Sequence, residues 1–328
     1  MFSLMNLYPL KFQPLYKYRM WGGSKLREVL QKDYEGENIG ESWEISDVKG
    51  DETRVINGVL TGYTLRQLAN EFGGDFLGHS VYEKFGEEFP LLIKFIDAKT
   101  PLSIQVHPHD HIAKERHNSF GKNEMWYVMA ADDEAEIIVG FDTEVEKETY
   151  LQKLNEGKVL DIMNTEKTKA GDVFNIPTGR IHAIGAGVLL AEIQQTSDIT
   201  YRIYDYNRVD KATGKTRDLH NDLAIDVIDF EVHDSYKTAY KKKENDRSKM
   251  VHTPYFKSNI LPMTETKSMD YANLDSFVIH ICTDGAYEIT YEGVDYSVKK
   301  GESILLPASI KSIEISPNGN CEILEVHM

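Results

Sequence analysis

Three short segments of this 328-residue chain carry side chains that can bind a metal ion, and their spacing sets what each can do. The first is Ser103-Ile104-Gln105-Val106-His107-Pro108. On a strand, residues two apart share a face, so Gln105 and His107 point together while Ile104 and Val106 pack behind. The second is Glu124, at the head of the apolar run Met125-Trp126-Tyr127-Val128. The third is His182, which closes the string Gly171-x5-Pro177-x-Gly179-x2-His182. Two imidazoles, a carboxylate and an amide oxygen make a nitrogen and oxygen donor set with room for a water or a substrate oxygen. That set suits a catalytic Zn2+, and other divalent ions accept the same ligands. A lone histidine among the 11 in the chain is more often surface or core than ligand, and the Gln-x-His pair alone is weak. The weight rests on the longer string ending at His182. His109 and His111 follow Pro108 and read as loop or helix-start residues.

The elements that must hold these groups are short strands. Pro90 to Asp97 is a buried strand by its apolar density, residues 103–107 alternate, and residues 124–129 and 135–141 are two more strands. Further short strands run from Val173 to about Asp205 and from Lys257 to Met328, a spacing that predicts a mainly β sandwich or barrel. Helical periodicity marks segments at about 61–88, broken at Gly73-Gly74, and at 110–120, 142–160 and 222–230. Residues 207–221 read as a polar loop, and 236–250, with Lys241-Lys242-Lys243, as a solvated connector. An internal echo joins the two strand-rich parts. Residues 171–177 read Gly-Asp-Val-Phe-Asn-Ile-Pro and residues 301–307 read Gly-Glu-Ser-Ile-Leu-Leu-Pro, at an offset of 130. The echo suggests two related barrels, a catalytic one within residues 1–250 and a second within 251–328. The same offset carries His182 to Ser312, so the second barrel is expected to hold no metal in this way.

Composition bounds the function. With 41% apolar and 27% charged residues the chain can bury a full core, which excludes global disorder. A net charge of −16 makes it a poor partner for a nucleic acid or an anionic membrane, so an anionic ligand needs a local basic cluster. Cys282 and Cys321 match no metal or redox spacing and suggest a reducing compartment. There is no run of 18 apolar residues, and Met1 to Trp21 lacks a leader-like stretch, so a soluble cytoplasmic protein is expected. Oligomeric state is left open, a monomer being compatible.

The string ending at His182 resembles the second metal motif of cupin barrels, whose first motif normally has His-x-His followed by Glu. Gln105-x-His107 with a longer gap to Glu124 departs from that pattern. The departure is similar to type I mannose-6-phosphate isomerases, the zinc cupins with Gln, His, Glu and His ligands. The resemblance covers most of the chain. It runs through Pro14 to Gly23, Gly40-Glu41-Ser42-Trp43-Glu44-Ile45-Ser46, Lys94-Phe95-Ile96-Asp97-Ala98, Leu102 to Pro108, Lys122-Asn123-Glu124-Met125-Trp126-Tyr127 and Thr200-Tyr201-Arg202. The family often has Lys-Pro-Glu where this chain has Lys122-Asn123-Glu124, and the helical domain of its long members is shortened here. The resemblance implies two cupin-like jelly-roll barrels with a small helical insertion. It implies one Zn2+ per chain on Gln105, His107, Glu124 and His182, and interconversion of mannose 6-phosphate and fructose 6-phosphate through an enediol.

That reaction needs an electrophile on the C1 and C2 oxygens, a proton shuttle and a grip on the phosphate. Lys122, two residues before Glu124, would share its strand face, and a metal beside it would lower its pKa; the resemblance makes it the candidate base. Arg202 matches the family's active-site arginine. Asp198 matches a carboxylate that helps ring opening or orients Arg202, and Ser103 and Lys94 match positions for substrate or phosphate binding. Two other readings compete. An Fe(II) oxygenase would use His107, Glu124 and His182 alone, against which Gln105 and the Lys/Arg complement argue. A non-catalytic sugar-binding cupin would keep the metal as structure, which an intact Lys122 and Arg202 disfavour.

Overall fold

A computed structural model describes residues 6–328. The first half of the chain builds two facing antiparallel sheets. Its strands are β1 (Leu15–Gly23), β2 (Ile39–Ile45), the small hairpin β3 (Asp47–Val48) and β4 (Asp51–Glu52), β5 (Leu91–Ala98), β6 (Ile104–Val106), β7 (Glu124–Ala131), β8 (Glu136–Phe141), β9 (Met163–Lys167), β10 (Val173–Ile176), β11 (His182–Ile184), β12 (Val188–Gln195) and β13 (Tyr201–Tyr204). One sheet has the order β1-β2-β5-β12-β7-β10, the other β13-β6-β11-β8-β9. All eight residues of β5 are buried, as are all eight of β12, because these strands lie inside the first sheet and are covered on both faces. The two sheets do not join into a closed cylinder. The expected barrel is an open jelly-roll sandwich, which protects its edges by stacking two sheets instead of closing one.

After a single turn of helix α1 (Lys25–Glu28), the helical segment expected at 61–88 is three short helices: α2 (Leu65–Phe72), α3 (Gly74–Leu77) and α4 (His79–Phe85). A capping box between Thr64 and Gln67 starts α2. Gly73 and Gly78, at φ of 50° and 97°, break the run. Of the segment at 110–120, α5 (Asp110–His117) forms, ending where Asn118 turns left-handed. Within 142–160 only α6 (Lys147–Asn155) is α-helical, followed by a 3-10 turn at Val159–Ile162. Within 222–230 the helix α7 spans only Asn221–Ala224. Beyond it the chain continues as turns, with the Val227 and Ile228 amides both donating to Ala224 O, and then leaves toward the turn at Gly179, whose carbonyl accepts from the Asp229 amide at 2.8 Å. The polar stretch 207–221 is not simply a loop: β14 (Val209–Asp210) and β15 (Lys215–Thr216) pair as a hairpin.

The last part of the chain repeats the plan. Strands β16 (Ser248–His252), β17 (Lys257–Met263), β18 (Lys267–Asp270), β19 (Val278–Asp284), β20 (Ala286–Tyr291), β21 (Val294–Lys299), β22 (Ser303–Leu306), β23 (Ser312–Pro317) and β24 (Cys321–His327) form sheets of order β16-β17-β24-β19-β22 and β18-β23-β20-β21. The echo has a structural meaning: β10 and β22 each follow a glycine of positive φ, Gly171 and Gly301, and each edges the larger sheet of its sandwich.

The two sandwiches share a core. Phe76 and Phe89 pack in one apolar cluster with Phe256, Phe277, Leu305 and Leu324, and the Phe89 and Phe277 rings lie 4.6 Å apart. Near the start of the chain, Leu10 forms a two-way backbone bridge with Leu305 at 2.8 and 2.9 Å. Among the described residues, no helix is long and apolar enough to cross a membrane.

Candidate active site

His107, Glu124 and His182 converge in the first sandwich, all buried, with candidate ligand atoms within 4.8 Å of one another. They come from both sheets. His107 follows β6, His182 starts β11 and pairs with Gln105, and Glu124 starts β7 opposite Ile176 at the end of β10. The motif spacing thus works through register. His107 Nδ1 donates to Ile199 O at 2.9 Å and His182 Nδ1 to Arg180 O at 2.8 Å. Both Nε2 lone pairs are therefore turned toward Glu124, 3.5 Å from its Oε1 for His107 and 3.7 Å from its Oε2 for His182. Such second-atom bonds fix the tautomer of a metal-binding histidine.

Burial drives both imidazoles toward the neutral form, His182 down to about 3. Burial alone would neutralise Glu124, but Lys122 and the two histidines hold it well below the usual carboxylate range. Neither of its shielded oxygens has an aligned hydrogen bond, although Lys122 Nζ lies 2.5 Å from Oε1. A charged, buried carboxylate lacking hydrogen bonds between two neutral imidazoles is a donor set that a divalent cation completes. Gln105 joins it: its Nε2 donates to His182 Nε2 at 3.3 Å, and a half-turn of the amide would present its oxygen instead.

Lys122 reaches the site by a different route from the one its spacing implied. It precedes β7 in a loop, and its ammonium donates back to His107 Nε2 at 3.3 Å. Burial pushes its pKa down, but the carboxylates of Glu124, Glu192 and Asp198 together push it up; the lowering expected beside a metal is a separate effect that a bound cation would bring.

Above the triad opens a cavity of about 380 Å³, reached by Gln105 and Lys122. Lys94, Ser103, Asp198 and Arg202 also line it, so every candidate site residue lies in the triad or on this cavity. Lys94 is buried, 3.2 Å from Glu192 and over the Trp43 ring. Arg202 Nε donates to Ser103 Oγ at 3.3 Å and Nη1 to Asp218 O at 2.9 Å. Burial and the nearby Arg217 lower its pKa. Asp198 stands exposed on the rim and makes no hydrogen bond to Arg202; its charge acts on Arg19 and Lys122.

Sequence reasoning did not single out Arg19, Glu41, Glu192 and Arg217, which share this cavity. Arg19 grips Glu41 with two bonds of 3.0 and 2.9 Å, and Trp43 Nε1 donates to the same carboxylate at 2.7 Å. Burial alone would raise the Glu41 pKa, yet Arg19 and Lys94 bring it to about 2. Glu192 did leave a signal: an acid inside the apolar run of β12 requires a buried partner, here Lys94 and the Trp126 indole, which donates to it at 2.8 Å. Each cavity cation but one has a carboxylate within 4 Å: Arg19 has Glu41, Lys94 has Glu192, Lys122 has Glu124 and Arg217 has Asp205. Arg202 is the exception among the described residues.

An open jelly-roll sandwich with a His-Glu-His cluster under a cation-lined cavity defines a cupin with a candidate metal centre. Residues 9–146 match the model of the phosphomannose isomerase type I catalytic domain, and residues 247–328 that of the mannose-6-phosphate isomerase cupin domain. A probable mannose-6-phosphate isomerase of Bacillus subtilis is 32% identical over 98% of this chain and 99% of its own length. The mannose-6-phosphate isomerase of Streptococcus mutans is 34% identical over 97% and 98%. The crystal structure of the Bacillus subtilis mannose 6-phosphate isomerase superimposes with a TM-score of 0.88, at 31% identity, over 98% of this chain and 99% of that one. The chain belongs to the type I mannose-6-phosphate isomerase family, and it is an isomerase.

Proposed function

We propose that the enzyme interconverts mannose 6-phosphate and fructose 6-phosphate by proton transfer through an enediol. The observation that carries this reading is Arg202: a cation without a carboxylate partner, beside the Ser103 hydroxyl, in the cavity that opens onto the His-Glu-His cluster. A cation so placed is available to negative charge on a substrate. We assign one Zn2+ per chain to Gln105, His107, Glu124 and His182. When bound, the ion supplies a Lewis acid for the C1 and C2 oxygens.

The chain's own groups do the rest. Lys122 is the proton shuttle. Its ammonium lies beside His107 Nε2 and Glu124 Oε1, the atoms that would hold a cation, and it also lines the cavity, where it would serve the substrate once a cation took its place. Arg202 holds negative charge on the enediol oxygens. Lys94 and Ser103 hold the substrate, and Asp198, on the rim, assists ring opening. The work divides between a catalytic domain within residues 1–250 and a metal-free domain within 251–328. A cytoplasmic enzyme acting on a small sugar phosphate, without nucleic-acid or membrane partners, fits the charge of −16.

The test is a coupled isomerase assay on mannose 6-phosphate, before and after chelation, with metal content read on the same samples. Activity that falls with zinc content and returns with added zinc supports the reading. Full turnover in zinc-free protein overturns the metal's role, and no turnover of mannose 6-phosphate by zinc-loaded protein overturns the substrate.

A further inference from the structure

The second sandwich carries its own cleft, about 280 Å³ in volume, lined by Arg247, Asn259, Asp270, Tyr271, Asn273 and Glu325 among others. Strand registers relate it to the catalytic cavity residue by residue. In the first sandwich Glu192 pairs with Lys94 on one side and Trp126 on the other. In the second, Glu325 pairs with Asn259 and His280 in the same strand order. His182 pairs with Gln105 as Ser312 pairs with Asp270, at the offset of 130 already seen in the echo. Trp43 pairs with Lys94 as Lys249 pairs with Asn259, which puts Arg247, two residues earlier, at the place of Glu41. Four residues of the second cleft, Arg247, Asn259, Asp270 and Glu325, therefore stand where Glu41, Lys94, Gln105 and Glu192 line the first.

The two layers of the site have diverged differently. At the ligand positions the second sandwich has Asp270 for Gln105, Ala272 for His107, Val278 for Glu124 and Ser312 for His182, so the donor set is dismantled. The polar layer behind it is kept. Glu325 is 2% exposed and takes bonds from Arg247 Nε at 2.7 and 3.0 Å and from Tyr271 at 2.8 Å, while His280 Nε2 lies 3.0 Å from the Tyr271 hydroxyl. An ion pair to the buried carboxylate persists, but its cation has moved from the place of Lys94 to that of Glu41 and is now part-exposed.

We propose that this cleft is a second, non-catalytic binding site for a neutral monosaccharide or polyol. Its lining guanidinium, Arg247, pairs through Nε with Glu325 and keeps a shielded Nη2 without a partner, while Asp270 adds a second acid at the mouth, so the cleft carries two carboxylates for one guanidinium. That balance repels a phosphate. Carboxylates and side-chain amides match the mixed donors and acceptors of sugar hydroxyls. The volume lies just under the range of about 300–1,000 Å³ usual for small-molecule sites, which fits one sugar ring.

The experiment is calorimetric titration of the metal-loaded enzyme with D-mannose and with D-mannitol, the catalytic cavity being kept filled with fructose 6-phosphate. One saturable site per chain is expected. The double variant Asp270→Ala/Asn273→Ala alters exposed side chains and should weaken binding by about tenfold or more, leaving kcat and KM of the isomerase unchanged. No saturable binding of either probe, or binding equal in the double variant, overturns the proposal. Binding of a sugar phosphate in the cleft as tight as that of the neutral sugar overturns the ligand class.

Discussion

Arg202 carries a charge that does not switch off near neutral pH, so it does not act as a base. The role proposed for it is to stabilise charge that develops during reaction, an effect that is stronger in the transition state than in the ground state. Arg202→Ala is expected to keep zinc and fold while kcat falls by roughly 10²–10³, as for other preorganised donors. If the guanidinium holds only the phosphate, the loss falls on KM, because that group is bound alike in both states. Steady-state kinetics with zinc measured on the same sample separates the two. His182 is different: it is completely buried, and its ring is fixed by Arg180 O. His182→Ala is expected to lose metal and activity together, and elemental analysis showing full zinc in that variant would refute the ligand set.

The turn between β10 and β11 places His182, and Gly179 is its hinge. Gly179 has φ of 87°, and a Cβ there would lie 2.8 Å from Val227 O. Gly179→Ala is expected to cost about 1–3 kcal/mol of stability and to weaken zinc affinity, read by denaturant unfolding and by competition with a chelator. This turn was legible in the sequence because its glycine, proline and histidine string resembles the second cupin metal motif; the backbone reason for the glycine emerges only from the structure. The strands were legible through alternation and apolar density. The helices after Phe141 and Asn221 came out shorter than their periodicity: the first stops just before Gly157, at φ of 69°, and the second gives way to local turns at Val227 and Ile228, breaks that apolar spacing does not register. Arg19, Glu41 and Arg217 escaped notice for a related cause: a lone charge reads as surface until distant strands bring its partner. Glu325, on β24, gives this level a pH signature. Burial raises its pKa, but His280 and Arg247 outweigh burial and bring it to about 2, against an ordinary 4.5. The stability it adds is present above about pH 4.5 and is lost as pH falls toward 2. Glu325→Gln is expected to flatten unfolding free energy against pH across that window, although it lowers stability at neutral pH by breaking the pair with Arg247.

For the molecule as a whole, dismantled ligand positions in the second sandwich predict one zinc per chain, and a measured ratio of two would contradict that. The sandwiches are nonetheless not independent. Phe256, Phe277, Leu305 and Leu324 complete a core begun by Phe76 and Phe89, and Tyr127 and Lys242 both bond Glu322. A fragment ending at residue 250 would expose that shared face, and it is expected to aggregate or to unfold with no cooperative transition, as circular dichroism on heating would show. The bridge between Leu10 and Leu305 extends this to biosynthesis. Residues near the start of the chain meet their strand partner almost 300 positions later, so the closing contact is of very high sequence separation. During translation at roughly 5–20 residues per second the catalytic half waits many seconds with its apolar seam uncovered, an interval in which a holding chaperone has something to bind. A circular permutant that joins the old termini and opens the connector near Lys242 would let the late half emerge first, and it would reverse which half has to wait.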